Sequence, residues 1–223
     1  MCYSPEADVI AGLVVGAIGI DAVRRVDDRR YLALASVPIV LGAHQLIEAV
    51  AWWGLRGQVP AEAGDSAATT YLVLALGVVP FLVPLAVMRA EPDAAQRRGM
   101  MPFVVLGGAI GTIMLGALAA NGHTVSIGGR YLEYAVAIPA GGVLTGLYFL
   151  AVAVPLLMSS HRGVFIFGMV NVPVFVLLSF LLSEGLISLW CVWAAISSLV
   201  VARTIRETSR HGSRKLRAPM PAQ

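Results

Sequence analysis

The sequence predicts an all-α fold: a polytopic transmembrane helix bundle of seven spans, with the N-terminus outside and the C-terminus cytoplasmic. Three observations predict it. Of the 223 residues, 58% are hydrophobic and 13% charged, about half the charge of a soluble domain at roughly 25%. Apolar windows of about 20 residues, enough to cross a hydrocarbon core of roughly 30 Å, recur along nearly the whole chain. The basic residues sort to one side of those windows: Arg24, Arg25, Arg29, Arg30, Arg89, Arg97, Arg98, Arg162 and the tail's Arg203, Arg206, Arg210, Arg214, Lys215 and Arg217 fall on one face, and only Arg56 and Arg130 on the other. Retention of basic turns in the cytoplasm then fixes the orientation.

The spans fall at 6–23, 32–54, 70–88, 101–120, 134–158, 164–182 and 185–202. The first opens on Ser4-Pro5-Glu6, an N-cap, a first-turn proline and an acidic first turn. The second ends on Trp52 and Trp53, and indoles favour the membrane interface. Arg89 closes the third span and Arg97 and Arg98 precede the fourth. The fifth starts at Tyr134, beyond the Asn121-Gly122 break. Only Ser183, Glu184 and Gly185 separate the last two, a tight outer turn. Gly12 and Gly16, Gly107 and Gly111, and Gly142 and Gly146 have the four-residue spacing of close helix contacts. Pro38, Pro80, Pro84, Pro139 and Pro173 predict kinks. Residues 1–203 read as one transmembrane domain and 204–223 as a basic, disordered cytoplasmic tail against the anionic inner leaflet.

The formal charge of +3 does not indicate nucleic acid, because the arginines lie in turns and the tail. Cys2 and Cys191 are too few for a disulfide framework, though they could form one bridge. The start, MCYSPEAD, lacks the basic region of a signal peptide, so the first helix is expected to be retained. No retinal is expected, because a Schiff base needs a buried lysine and Lys215, the single lysine, is in the tail. The expected partners are the lipid bilayer and a small molecule or ion, with the oligomeric state open. Arginine in place of lysine, with abundant Ala, Val and Gly, suggests a bacterial chain, and hence the cytoplasmic (inner) membrane.

The stretch Leu41 to Trp53, LGAHQLIEAVAWW, places His44, Gln45 and Glu48 inside an apolar span. Counting back from the tryptophans at about 1.5 Å per residue puts Glu48 roughly 7 Å and His44 roughly 13 Å inside. Residues four apart share one helix face, and an intramembrane acid costs about 2.5–3.5 kcal/mol unless it faces the bundle interior. Topology brings Cys2, Ser4, His123, Ser183, Glu184, Ser188 and Cys191 to the same outer half, with Asn171 deeper. His44, Gln45, Glu48, Glu184 and Asn171 are therefore candidates for binding or proton handling. Cys2, His44, Glu48, His123 and Cys191 offer thiolate, imidazole and carboxylate ligands for zinc or another transition metal. Alternatively, His44 and Glu48 form a structural pair, Cys191 packs, Tyr131 and Tyr134 anchor the interface, and His161 is incidental on the cytoplasmic side.

With MCYSPEAD, HQLIEAVAW and SLWCVWAAISSL in view, the chain resembles a bacterial family of small multipass membrane proteins of unknown function. The resemblance spans nearly the whole chain and implies no activity. It gives weight to Cys2, Glu48 and Cys191. Relatives often have glutamine where this chain has His44. Three functions stay open: a transporter or small-molecule or ion-binding membrane protein, a metal-dependent membrane enzyme or metal-binding protein, and a structural or assembly protein without catalysis.

Overall fold

The computed structural model describes residues 4–128, 131–181 and 196–207. Among these the chain is mostly helical. Helix α1 runs Pro5–Arg24, and a short 3₁₀ turn, Arg29–Tyr31, leads into α2, Leu32–Leu55. Helix α3, Ala61–Leu72, continues through a π-helical segment, Val73–Val78, into α4, Val79–Ala90. Helix α5, Ala94–Asn121, is followed by strands β1, Thr124–Gly128, and β2, Tyr131–Ala135, then by α6, Gly141–Met158, and α7, Arg162–Leu181. A terminal helix occupies 196–207.

Four helical stretches among the described residues are long and apolar enough to cross a membrane: Arg29–Leu55, Ala61–Ala90, Ala94–Asn121 and Gly141–Met158. The outward surface is itself apolar, with Ile10, Val105, Val143 and Met169 exposed. An exterior of that kind suits lipid rather than water.

Local sequence explains the elements. Ser4 Oγ accepts the Ala7 N–H and caps α1, and Pro5 sits in its first turn. The buried residues of α1 are Pro5, Asp8, Gly12, Val15, Gly19 and Ala22, a strict three-four alternation that marks a single seam. That seam lies on α2. A Cβ added to Gly12 would come within 2.8 Å of Leu46, one on Gly19 within 2.7 Å of Ile39, and one on Gly42 within 2.7 Å of the Gly16 backbone nitrogen. The two backbones therefore touch, as small residues permit. Helix α2 is central, packed on α1, α3 and α4.

Pro80 explains the π segment. Its ring has no N–H and crowds the carbonyl four residues earlier, so the helix widens ahead of it. One carbonyl of the widened turn, Ala75, accepts a hydrogen bond from the Tyr148 hydroxyl of α6 at 3.1 Å. Gly107 of α5 packs so closely that the Pro80 carbonyl occupies the place of its absent Cβ. Gly142 and Gly146 behave otherwise: no heavy atom among the described residues lies within 4 Å of a Cβ added at either. The packing expected of that pair is not found among the described residues.

A second correction concerns the fifth span, read from sequence as starting at Tyr134. The chain there forms a hairpin, with Thr124 opposite Ala135 and Gly128 opposite Tyr131, and α6 begins only at Gly141. Valine, isoleucine and tyrosine at alternate positions favour a pleated strand. Pro139 holds Ile138 out of the helical region, and Ala140 takes the left-handed φ of 50° before the helix starts. Leu132, 1% exposed, packs with Ala51, Trp52, Ala67 and Ala68, and Val125 and Tyr134 flank them. The hairpin thus lies over the ends of α2 and α3. Trp52 is 1% exposed, a core side chain rather than a lipid anchor.

At the opposite end the basic turns converge. Asp21 Oδ2 accepts from Arg25 Nε at 2.8 Å and from the Arg206 guanidinium at 3.2 Å, tying α1 to the terminal helix. The Asp28 carboxyl lies below the usual carboxylate range, held there first by the Arg30 backbone N–H and then by its guanidinium. Glu91, fully buried, accepts the backbone N–H of Ser160 at 2.8 Å and that of Asp93 at 3.2 Å. His161, expected to be incidental, has Nε2 3.0 Å from the Ala90 carbonyl and its ring edge-on to Tyr31 at 5.7 Å. Glu91→Ala should therefore lower stability by about 1–3 kcal/mol, since two part-buried hydrogen bonds that join the turns lose their acceptor. Thermal unfolding in detergent measures this, and an unchanged midpoint would show that the two turns are held by other contacts.

Candidate functional site

Three side chains in the second half of α2 are buried in the bundle: His44 at 5% exposure, Gln45 at 1% and Glu48 at 0%. Their spacing of one, three and four residues puts them on neighbouring positions of one face. Asp8 of α1 is also 0% exposed. The contacts of Gly19 with Ile39 and of Gly12 with Leu46 define an antiparallel register. One turn further toward the start of α1 it sets Asp8 at the level of Val50, two residues, about 3 Å, along α2 from Glu48. Both carboxylates are fully buried, on helices whose backbones touch.

Sequence reading missed Asp8. An acid in the first turn of a helix has a sufficient local explanation in the helix dipole. The signal that singles it out is its place on the three-four seam with Gly12 and Gly19, opposite the exposed Ile10, Leu13 and Val14.

Among the described residues neither oxygen of Asp8, neither oxygen of Glu48 and neither polar atom of the Gln45 amide has a hydrogen-bond partner. Buried polar groups are normally paired, and leaving one unpaired costs about 1–3 kcal/mol, more for a charge.

His44 is engaged differently. Its Nε2 lies 3.2 Å from the carbonyl oxygen of Tyr71, and because a carbonyl only accepts, that nitrogen carries the proton. Tyr71 stands two residues before the π segment, where the change from four- to five-residue bonding frees a carbonyl for an outside donor. The His44 ring stacks on Tyr71 with centroids 3.8 Å apart, and Tyr71 stacks on Tyr134 of β2 at 4.6 Å. The hairpin is thereby joined to α2 through a three-ring pile. Tyr134, expected to be an interface anchor, is part of that stack. Trp52 Nε1 and the Tyr134 hydroxyl are also buried without a hydrogen-bond partner among the described residues.

His123 does not join the α2 cluster. Its Nε2 lies 3.4 Å from Asp65 Oδ1, and Asp65 is six residues, about 9 Å, along α3 from Tyr71. Asn171 is also elsewhere: it lines an apolar cavity of about 80 Å³ with Leu41, Val79, Val152 and Val201. Cys2, Glu184 and Cys191 lie outside the described residues. Among the described residues no three His, Cys, Asp or Glu side chains come together to hold a metal ion.

No curated protein and no solved structure matches the chain. A family model does, and it covers residues 1–216: the chain belongs to DUF6629, a family of unknown function.

Proposed function

We propose that the protein is a seven-span bacterial inner-membrane protein that binds a small cation or proton between Asp8, Gln45 and Glu48, as a transporter or ion-binding membrane protein. Helices α1 and α7, about 30 Å each at 20 residues, and the last span bring the four apolar stretches to seven. The gathering of the basic turns at one end supports a cytoplasmic face there and an outside N-terminus. The observation that carries the function is the pair of fully buried carboxylates with no hydrogen-bond partner among the described residues. Two such groups on facing helices either share a proton or hold a cation between them. Gln45 supplies both a donor and an acceptor beside them. His44 has a separate role, because its Nε2 proton is committed to the Tyr71 carbonyl. The widened turn before Pro80 and the hairpin above the aromatic stack are the elements able to move when the site changes charge.

Reconstitution of the purified chain into liposomes with a trapped pH-sensitive dye tests this. Imposed sodium, potassium or proton gradients are expected to drive a dye response that falls at least about tenfold in Asp8→Asn and in Glu48→Gln, as for loss of a group that touches the ion. Gly142→Ala should leave it intact. A wild-type protein that moves neither protons nor cations, and whose carboxyl infrared bands ignore pH and added cation, would reduce the cluster to a structural pair.

A further inference from the structure

The terminal helix is flanked by two grooves at the basic end of the bundle. One, between α1 and the terminal helix, is walled by Ala17, Ile18, Leu199 and Ala202 and mouthed by Asp21, Arg203 and Arg206. The other, between α7 and the terminal helix, is walled by Ile166, Phe167, Val170 and Val200, with Arg162, Arg203, Thr204 and Glu207 at its mouth. Arg203 borders both. We infer that these grooves form one binding site for an anionic phospholipid, its acyl chains in the two apolar troughs and its phosphates on Arg162 and Arg203.

Charge complementarity carries the choice of occupant. The Asp21 carboxylate is already neutralised by Arg25 and Arg206. Counting every charge at the two mouths, Arg162, Arg203, Arg206 and Arg25 face Asp21 and Glu207, an excess of two positive charges. Arg162 is also the first residue of α7, so the free N–H groups and positive dipole of that helix end add to the field. Apolar walls under a basic rim suit a molecule with tails and an anionic head. The segment after Glu207 is a poor occupant, because Arg210, Arg214, Lys215 and Arg217 would be set against like charge. Bidentate geometry matches guanidinium to phosphate better than it matches ammonium. A lipid with two phosphates and several chains spans both troughs around the shared Arg203.

The inference rests on the reading that this end meets the membrane surface, and its test is independent of the Asp8–Glu48 site. Native mass spectrometry of the full chain in neutral detergent, titrated with cardiolipin, phosphatidylglycerol, phosphatidylcholine and inorganic phosphate, is the measurement. Cardiolipin should bind most tightly and phosphatidylcholine least. Each of Arg162→Gln and Arg203→Gln should weaken cardiolipin about fivefold and the pair about thirtyfold, at roughly one arginine's surface contribution each. Arg203→Lys should recover part of the loss, and Arg98→Gln, away from both grooves, should change nothing. These arginines are exposed, so the variants fold, and unchanged thermal midpoints verify that. Val200→Trp, which fills a trough and keeps every charge, should also reduce binding. Equal binding of phosphatidylcholine, indifference to the double substitution, or full competition by inorganic phosphate would overturn the lipid site. Asp8→Asn and Glu48→Gln should leave lipid binding unchanged whatever their effect on ion movement, so failure of one reading does not imply failure of the other.

Discussion

Gly42→Val is expected to abolish accumulation of folded protein, while Gly142→Val leaves it at the level of the unaltered chain. A Cβ at position 42 would lie 2.7 Å from the Gly16 nitrogen and 2.8 Å from the Gly12 carbonyl oxygen. Both obstacles are backbone, so no rotamer change relieves the clash and α1 must part from α2. Overpacking a core costs about 1–3 kcal/mol when side chains can give way. Here it should exceed about 4 kcal/mol, a large share of the roughly 5–15 kcal/mol that holds a domain together. Valine is no worse a helix former than glycine, so propensity does not confuse the sign. Gly142, with no heavy atom of the described residues within 4 Å of an added Cβ, is the matched control. Membrane yield and thermal midpoint in detergent measure both, and a Gly42→Val protein as stable as its parent would mean that the α1–α2 seam is not in the register described.

The opposite sign is expected at the carboxylates. Asp8→Asn and Glu48→Gln should each raise the thermal midpoint, by about 1–3 kcal/mol of stability, while ion movement is lost. A buried charge without a partner is costly, and a neutral group of the same shape removes that cost. The two substitutions should not add. Once one acid is an amide the charge on the other no longer meets a like charge, so part of the gain is already made and the double variant should fall short of the sum by about 1–2 kcal/mol, a coupling typical of neighbouring charged groups. A double-mutant cycle of thermal unfolding reads this directly. Strict additivity would separate the two side chains, and destabilisation by either substitution would mean that the carboxylates are already paired by groups outside the described residues.

The helices were legible because apolar length and the turn residues between them agree. Arg24 ends α1 and Trp52 and Trp53 close α2, within a residue or two of the expected limits. The hairpin was not. Its strands are five residues each, and beside a following apolar run a five-residue alternation is lost in any window long enough to find a span. The cluster was half legible. The spacing of His44, Gln45 and Glu48 on one face is a property of a single helix and can be read from one segment. Asp8 belongs with them only through the register of α1 on α2, which is set by which glycines meet. Tyr71 and Tyr134 come together through a loop closure of 63 residues, counted from their positions, and no local pattern announces it.

The hairpin also sets a length scale. A sheet of two strands has two open edges, each with peptide groups that hydrocarbon cannot satisfy. The hairpin must therefore lie in water, headgroups or protein, and the acyl region on that side can extend no farther than the start of α6. From Gly141 to Met158 is 18 residues, about 27 Å, whereas Ala94–Asn121 is 28 residues, about 42 Å. The short helix, not the long one, then dictates the hydrophobic thickness the protein matches, near the thin end of biological bilayers. A thicker bilayer would press acyl chains against the open strand edges, whose peptide groups hydrocarbon cannot satisfy.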